Sequence, residues 1–434
     1  MFGTSGIRGP VGEVVTADLA LAVGRALAAD AARVVVGRDP RESGEFLTDA
    51  LVAGLRESGT DVVDIGLAAT PTVARAVAAE DAAAGVSITA SHNPAPDNGI
   101  KLWNPSGQAF DEAQREAVTE RIREEYFEPV GWEGLGTRIE RDGAERHVQT
   151  LVDAVDLAEP LSVIVDVGNG AGGVTAEALA RLGCEVETLN AQPDGRFPGR
   201  PSEPTAETCE SLCQLVGASD ADLGIAHDGD ADRMMAVTGA GEFISGDILL
   251  ALFSLDAAGA GERVAAPVDT SLVVADLLAD QGASLTRTKV GDVYVAERAT
   301  EPDVVFGGEP SGAWIWPEET LCPDGPLAAV RLVELASKRP LADRVGDIEP
   351  YPIRRTSLEV ENKDELMAAI EARVHNEFDD VQTLDGVRVD LGDAWFLLRA
   401  SGTQPLIRVT AEARDPGRAD EVFERATGIV ADSQ

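Results

Sequence analysis

The sequence predicts an α/β protein, with three related α/β mixed-sheet domains followed by a C-terminal α+β domain. Three observations carry that prediction. A pattern of strand, polar loop, helix, glycine and strand occurs three times. The tail drops this pattern for consecutive strands flanked by helices. A chain of 434 residues is also too long for one ordinary core.

The first repeat begins at Val34-Val35-Val36, continues through a helix over Leu47–Ser58, stops at Gly59 and returns as the strand Val62-Val63-Asp64-Ile65. The second, Leu161–Asn190, runs from Val163-Ile164-Val165 through a glycine loop, a helix over Val174–Leu182 and Gly183 to a strand at Glu185–Leu189. The third, Arg263–Lys289, ends its helix at Gly282. Glycine just past a helical run is a stop signal. Strands that alternate with helices imply βαβ units and parallel-rich sheets. In the tail, Leu384–Leu391, Trp395–Ala400 and Leu406–Ala411 read as strands, with helices at Lys363–Asn376 and Arg418–Val430. Boundaries near Arg146, Gly246 and Pro350 divide the chain into residues 1–146, 147–246, 247–350 and 351–434.

Composition narrows the class. Hydrophobic residues make up 44%, enough for packed interiors. No apolar run reaches transmembrane length and no signal peptide precedes Phe2, so a soluble cytoplasmic protein is expected. There are 76 acidic residues against 36 basic ones, a net charge of −40, and only four of the basic residues are lysines. Such self-repulsion strains a compact state in dilute buffer, whereas at about 1 M salt the Debye length is only about 3 Å. The expectation is a halophilic host. The acidity also argues against a nucleic-acid partner. The four cysteines include one C-x3-C pair without zinc spacing, as expected of reduced thiols.

Four loops carry chemistry. In Ser87-Ile88-Thr89-Ala90-Ser91-His92-Asn93-Pro94 a β-rich run stops and presents Ser91 in a polar turn, followed by Asp97-Asn98-Gly99-Ile100-Lys101. Most serines in such turns bond only their own backbone, but His92 and Lys101 beside this one suit a hydroxyl that carries phosphate. In His227-Asp228-Gly229-Asp230-Ala231-Asp232-Arg233 three carboxylates alternate after a strand-like run. Alternate residues of an extended segment share a face, and all-oxygen ligation suits Mg2+. An EF-hand reading fails, because Arg233 stands where glycine is needed and Gly239 where glutamate is needed. Gly307-Gly308-Glu309-Pro310-Ser311-Gly312 lets backbone approach a ligand and sets Glu309 and Ser311 two apart to hold hydroxyls. Arg399-Ala400-Ser401-Gly402-Thr403-Gln404-Pro405, with Arg408 beyond it, makes an anion nest around a guanidinium.

Together these loops, in this order, and the opening Phe2-Gly3-Thr4-Ser5-Gly6-Ile7-Arg8-Gly9 closely resemble the α-D-phosphohexomutase superfamily over nearly the whole chain. The resemblance implies four domains around a central cleft. It implies phosphate transfer between C6 and C1 of a hexose phosphate through a phosphoserine at Ser91 and a 1,6-bisphosphate intermediate. Mg2+ would be held by Asp228, Asp230, Asp232 and a phosphoserine oxygen. Arg399, Ser401, Gly402, Thr403 and Arg408 would hold the substrate's own phosphate, and Glu309 and Ser311 its hydroxyls. Arg8, Lys101, His92 and Arg233 would surround the transferring group. Lys101 would either manage a proton, at a lowered pKa, or serve as a phosphate counter-charge.

Three positions depart from the family pattern. Ala313 stands where histidine is frequent, which points to Trp314 or a neighbouring cation as a substitute. Gln404 replaces a usual glutamate, and Val293 stands where arginine is common. Within the family, the opening segment, Pro405-Leu406-Ile407-Arg408-Val409 and the compact length resemble the glucosamine-phosphate branch, which implies glucosamine phosphate as substrate, with glucose and mannose phosphates as alternatives. The expected partner is a small sugar phosphate, acted on by a monomer or homodimer. A rival reading exists. Gly168-Asn169-Gly170-Ala171-Gly172-Gly173 satisfies G-x-G-x-x-G, with Asp194 near a ribose-ligand position, as in an NAD-dependent dehydrogenase. A phosphatase or a non-catalytic sugar-phosphate binder would share the other loops.

Overall fold

The computed structural model describes residues 2–3, 6–125, 127–401 and 405–433. The chain forms two compact units, Met1–Leu249 with Ser311–Val345, and Leu250–Pro310 with Gly346–Gln434.

The first unit opens with strands β1 (Ile7–Pro10), β2 (Arg33–Arg38), β3 (Asp61–Leu67), β4 (Ala84–Ile88), β5 (Asp97–Trp103) and β6 (Arg138–Glu140). They form one sheet in the order β1-β5-β4-β2-β3-β6. The pairs β4–β2, β2–β3 and β3–β6 are parallel, while β5 is antiparallel to both β1 and β4. Helices α1 (Ala17–Ala28), α2 (Gly44–Glu57), α3 (Thr70–Ala79) and α4 (Glu112–Arg123) accompany it, and α5 (Ala144–Asp153) follows β6. The valines of β2 are buried as an unbroken apolar run, the signature of a strand covered on both faces. Helices α1 and α2 approach closely at two glycines. A Cβ on Gly24 would lie 2.3 Å from the Leu51 carbonyl oxygen, and one on Gly54 2.3 Å from that of Leu21.

A second sheet in this unit contains β7 (Ser162–Asp166), β8 (Glu185–Leu189), β9 (Leu223–His227), β10 (Met234–Thr238) and β11 (Phe243–Ile244), in the order β11-β10-β9-β7-β8. Its β9–β7–β8 portion is parallel and β10 is antiparallel to β9. Helices α6 (Gly173–Arg181) and α7 (Glu210–Gly217) belong to it, and α8 (Gly246–Ala257) leads onward. In both sheets a chemistry-bearing loop leaves the C-terminal end of a strand that has a parallel neighbour: Ser91 after β4 and the aspartates after β9. Open α/β sheets bind ligands at those ends.

In the second unit β12 (Arg263–Pro267) pairs parallel with β13 (Ser284–Thr288) and with β14 (Val304–Gly308), accompanied by α9 (Leu272–Asp280) and α10 (Asp292–Arg298). The chain then returns to the first unit for β15 (Trp314–Ile315) and α11 (Gly325–Lys338), and α12 (Leu341–Gly346) follows. The tail forms an antiparallel sheet of β16 (Ile353–Glu359), β17 (Val381–Gln382), β18 (Val387–Asp390), β19 (Ala394–Ala400) and β20 (Leu406–Ala413), in the order β16-β20-β19-β18-β17. Helices α13 (Lys363–Glu377) and α14 (Pro416–Ser433) flank it. The α/β and α+β division read from the sequence is therefore present. The expected strand at Leu384–Leu391 is shorter, and β16, which the sequence reading omitted, lies at the sheet edge against β20. Among the described residues no helix is long and apolar enough to cross a membrane.

Candidate active site

Ser91 is buried and adopts a left-handed backbone, φ +52°. A non-glycine residue holds that conformation only where its surroundings impose it. Here the surroundings are explicit. The Ser91 amide donates to Thr89 Oγ1 at 2.8 Å, and Thr89 Oγ1 donates to Asp39 Oδ2 at 2.7 Å. The fully buried Arg41 guanidinium pairs with Asp39 at 2.9 Å and donates to the carbonyls of Ser91, Asn93, Pro94 and Asp97 at 2.6–2.8 Å. Ser202 Oγ adds a bond to the Ser91 carbonyl at 3.0 Å and accepts from the Gly229 amide at 2.9 Å, so one hydroxyl joins the serine loop to the aspartate loop.

The aspartates converge, but not as the faces of an extended strand. Residues 228–232 curl out of β9 as a turn, with Ala231 left-handed at φ +53°. Strand alternation is the wrong account of their convergence, because the chain reverses there to enter β10. The carboxylates of Asp228, Asp230 and Asp232 are buried, with ligand oxygens within 4.8 Å of one another. Ser91 Oγ donates to Asp228 Oδ2 at 2.7 Å and lies 3.4 Å from Asp232 Oδ1. Lys101 Nζ bridges Asp230 Oδ2 at 2.7 Å and Asp232 Oδ2 at 2.5 Å, and Thr70 Oγ1 donates to Asp230 at 2.6 Å. Asp230 Oδ1 is buried with no hydrogen-bond partner among the described residues. A buried, all-oxygen, convergent acidic set with one such oxygen fits a hard divalent cation.

The electrostatics follow from burial and charge. Burial, and then the like charges of Asp232 and Asp230, push Asp228 well above the usual carboxylate range. Burial acts the same way on Asp230, but Lys101 outweighs it and holds that carboxyl low. Burial alone would depress Lys101, yet Asp230 and Asp232 hold its ammonium above the ordinary lysine value. Of the two expectations for Lys101, a lowered pKa is thus reversed by the two carboxylates in contact with it, and the counter-charge role is the one these contacts suit. His92, with Nδ1 3.5 Å from Ser91 Oγ, is depressed to about 3 by burial and by Arg233, Arg8 and Lys101, so its imidazole is neutral.

The other candidates are placed as follows. Arg8, on β1, has a buried Nε without a hydrogen-bond partner among the described residues. Arg233 donates its amide to Asp228 Oδ1 at 3.1 Å and pairs with Glu203 at 3.2 Å. Ser311, in the first unit, is exposed. In the second unit the buried Glu309 accepts from the Gly291 amide at 2.7 Å. Arg399 pairs with Asp385 at 3.0 Å and stands directly across from Arg408 in the β19–β20 ladder. Like charges directly opposite are destabilising, which favours an anion there. Ser401 is buried, its carbonyl accepting from Lys363 Nζ at 2.6 Å. Gly402 and Thr403 lie outside the described residues, as does Gln404.

Trp314 does not replace the histidine missing at 313. It is fully buried and its indole N–H donates to the Met234 carbonyl at 2.8 Å. The G-x-G-x-x-G loop also has a local explanation. The Ala171 amide donates to the Gly229 carbonyl at 2.9 Å, and a Cβ on Gly170 would lie 2.6 Å from that oxygen. The glycines let this loop back the aspartate turn. Arg200 completes the support, bonding Asp166 at 2.6 Å and the His227 carbonyl at 2.6 Å. Asp39, Arg41, Thr70, Arg200 and Ser202 were missed from sequence. Only Asp39-Pro40-Arg41, directly after β2, offered a local signal.

Four family models cover the chain in order: phosphoglucomutase/phosphomannomutase alpha/beta/alpha domain I over residues 1–129, domain II over 145–241, domain III over 245–351, and the C-terminal domain over 356–428. A protein of Methanopyrus kandleri named probable phosphoglucosamine mutase is 46% identical over 441 residues, covering 99% of this chain and 97% of its own. One of the same name from Methanococcoides burtonii is 46% identical over 435 residues, covering 99% and 98%. The crystal structure of a phosphoglucomutase/phosphomannomutase family protein from Burkholderia thailandensis superposes with a TM-score of 0.88 at 28% identity, covering 99% of this chain and 98% of that one.

Proposed function

The chain belongs to the phosphoglucomutase/phosphomannomutase family and is a phosphohexomutase, and from that premise we propose that it interconverts glucosamine 6-phosphate and glucosamine 1-phosphate. The observation that carries the chemistry is the 2.7 Å contact between Ser91 Oγ and Asp228 inside a buried three-aspartate cluster. The sugar preference rests on relatives that match almost the entire chain and bear the phosphoglucosamine mutase name.

In this reading Ser91 carries the phosphoryl group. Asp228, Asp230 and Asp232 would hold Mg2+, which when bound neutralises charge on the transferring group. The substrate's free hydroxyl attacks the phosphorus, the bond from phosphorus to Ser91 Oγ breaks, and the proton lost by the attacking hydroxyl is balanced by the one that Ser91 Oγ takes up to become a hydroxyl again. The product of this half-reaction is a hexose 1,6-bisphosphate. After the bisphosphate turns over, its other phosphate returns to Ser91. Lys101, which bridges Asp230 and Asp232, supplies counter-charge to phosphoryl oxygens. Arg8 and Arg233 add positive charge, and the neutral His92 borders Ser91 Oγ. Arg399, Ser401, Gly402, Thr403 and Arg408 grip the phosphate that does not transfer, while Glu309 and Ser311 grip hydroxyls in either orientation of the sugar. The enzyme acts in the cytoplasm, as a monomer or homodimer. Its four cysteines, all free, suit a reducing compartment.

The test is kcat/KM for glucosamine, glucose and mannose phosphates in multimolar KCl, with Mg2+ and a trace of bisphosphate primer. Glucosamine phosphate should be turned over best, without stoichiometric release of inorganic phosphate. A preference for mannose phosphate overturns the substrate assignment. Phosphate release that keeps pace with turnover marks a phosphatase.

A further inference from the structure

In the second unit two loops assigned different tasks are tied together through one carboxylate. Asp385 Oδ2 accepts from Arg399 Nη1 at 3.0 Å and from the Val290 amide at 3.1 Å. The next amide along the chain, Gly291 N–H, donates to Glu309 Oε1 at 2.7 Å. Successive backbone amides are therefore pinned to two carboxylates, one paired with the phosphate-gripping arginine and the other belonging to the sugar loop. Gly291 adopts φ +132°, a conformation that side chains rarely take. Asp385 itself lies just before β18, 14 residues from Arg399 and 95 from Val290, so its contacts join distant parts of the chain.

We propose that Asp385 is a positioning residue that yokes the phosphate grip of Arg399 to the hydroxyl grip of Glu309 through the Val290–Gly291 backbone. This rests on the roles proposed for those two side chains. A guanidinium held by one carboxylate presents its remaining donors in a fixed fork. The same oxygen sets the height of the Val290 amide, and the adjacent Gly291 amide sets the direction of Glu309. A displacement at either end is then felt at the other. A mutase that must receive its ligand in two orientations gains from this, because the spacing between phosphate and hydroxyl contacts stays constant when the ligand turns around.

The test is a set of double-mutant cycles on the full chain in multimolar KCl, read as kcat and KM in both reaction directions. Asp385→Ala should raise KM about tenfold in each direction, with a smaller change in kcat. The size follows from losing a charge-assisted bond and an amide bond at a partly exposed site. Asp385→Asn, which keeps an acceptor for Val290 but not the charge, should fall between wild type and Asp385→Ala. It also covers the case in which the alanine variant does not fold. In an Arg399→Ala background Asp385→Ala should cost less than about twofold more, and in a Glu309→Ala background clearly less than its full tenfold, because coupled residues are not additive. Full additivity in both backgrounds, or an unchanged KM in Asp385→Ala, overturns the yoke. If Arg399→Ala and Glu309→Ala themselves leave KM unchanged, the underlying assignment of the two grips fails instead, a separable result. A merely structural role for Asp385 would lower the melting temperature and add in full to both single variants.

Discussion

Arg41 offers the sharpest perturbation of the serine loop. Its side chain has no exposure, pairs with Asp39, and bonds four carbonyls within 91–97. Arg41→Ala deletes a charged donor to four acceptors and leaves the buried Asp39 carboxylate without its ion-pair partner. Breaking a buried pair costs about 3–5 kcal/mol, and each bond from a charged donor contributes about 1.5–3 kcal/mol. The terms do not add fully, because Asp39 has an escape. Burial has already raised its pKa to about 6 against the opposing pull of Arg41, so without the arginine it takes up a proton at neutral pH. We expect a loss near 3–4 kcal/mol, concentrated in the loop. A Ser91 hydroxyl displaced by about 1 Å should cost roughly a hundredfold in kcat. Amide hydrogen exchange across residues 91–99 and steady-state turnover in molar KCl report the two effects. Arg41→Lys, with three donors in place of the fork, should be intermediate. Turnover within threefold of wild type, with unchanged exchange, would refute the claim that this ion pair positions the serine.

Two further outcomes follow from buried charge. Asp230→Asn removes one carboxylate charge and an anchor for Lys101, so it should raise the Mg2+ concentration for half-maximal activity and lower kcat about a hundredfold or more. A Mg2+ titration like that of wild type would exclude Asp230 from the metal set. Asp324 is buried between Arg75 at 2.7 Å and His147 at 3.3 Å and caps α11 at the Leu327 amide. Burial would raise its pKa, but Arg75 and His147 outweigh it and hold the folded carboxyl below its unfolded value. Its contribution is therefore present above about pH 4 and lost as pH falls through the folded value. Asp324→Asn should be less stable by about 3 kcal/mol at neutral pH, with the gap narrowing on acidification. Chemical melts that show the same gap at neutral and acid pH would contradict this.

Much of the site was legible because its parts are short and local. Ser91 and the three aspartates stand in compact loops after apolar runs, and apolar runs ending in polar turns are what a sequence displays most plainly. What joins them was not legible. The 2.7 Å bond from Ser91 to Asp228 spans 137 residues, and the bridge from Lys101 to Asp232 spans 131. Periodicity cannot report either. The aspartates also alternate for a reason other than strand geometry, since the left-handed Ala231 turns the chain back on itself. The same blindness to partners produced the wrong sign for Lys101. Arg41 and Arg200 were invisible as functional supports because a buried arginine and a solvated one look alike in sequence. The glycines at 168–173 were visible but ambiguous. Only the contact between Gly170 and Gly229 tells a packing loop from a dinucleotide loop.

The central claim is that Ser91 carries phosphate beside the aspartate cluster during turnover. The direct measurement is site-resolved mass spectrometry of the protein after incubation with glucosamine 1,6-bisphosphate and Mg2+ in multimolar KCl. The account predicts one phosphate per chain on Ser91, lost on addition of excess glucosamine 6-phosphate and absent from an inactive Ser91→Ala variant. Phosphate on another residue, or mutase turnover that survives Ser91→Ala, would contradict it.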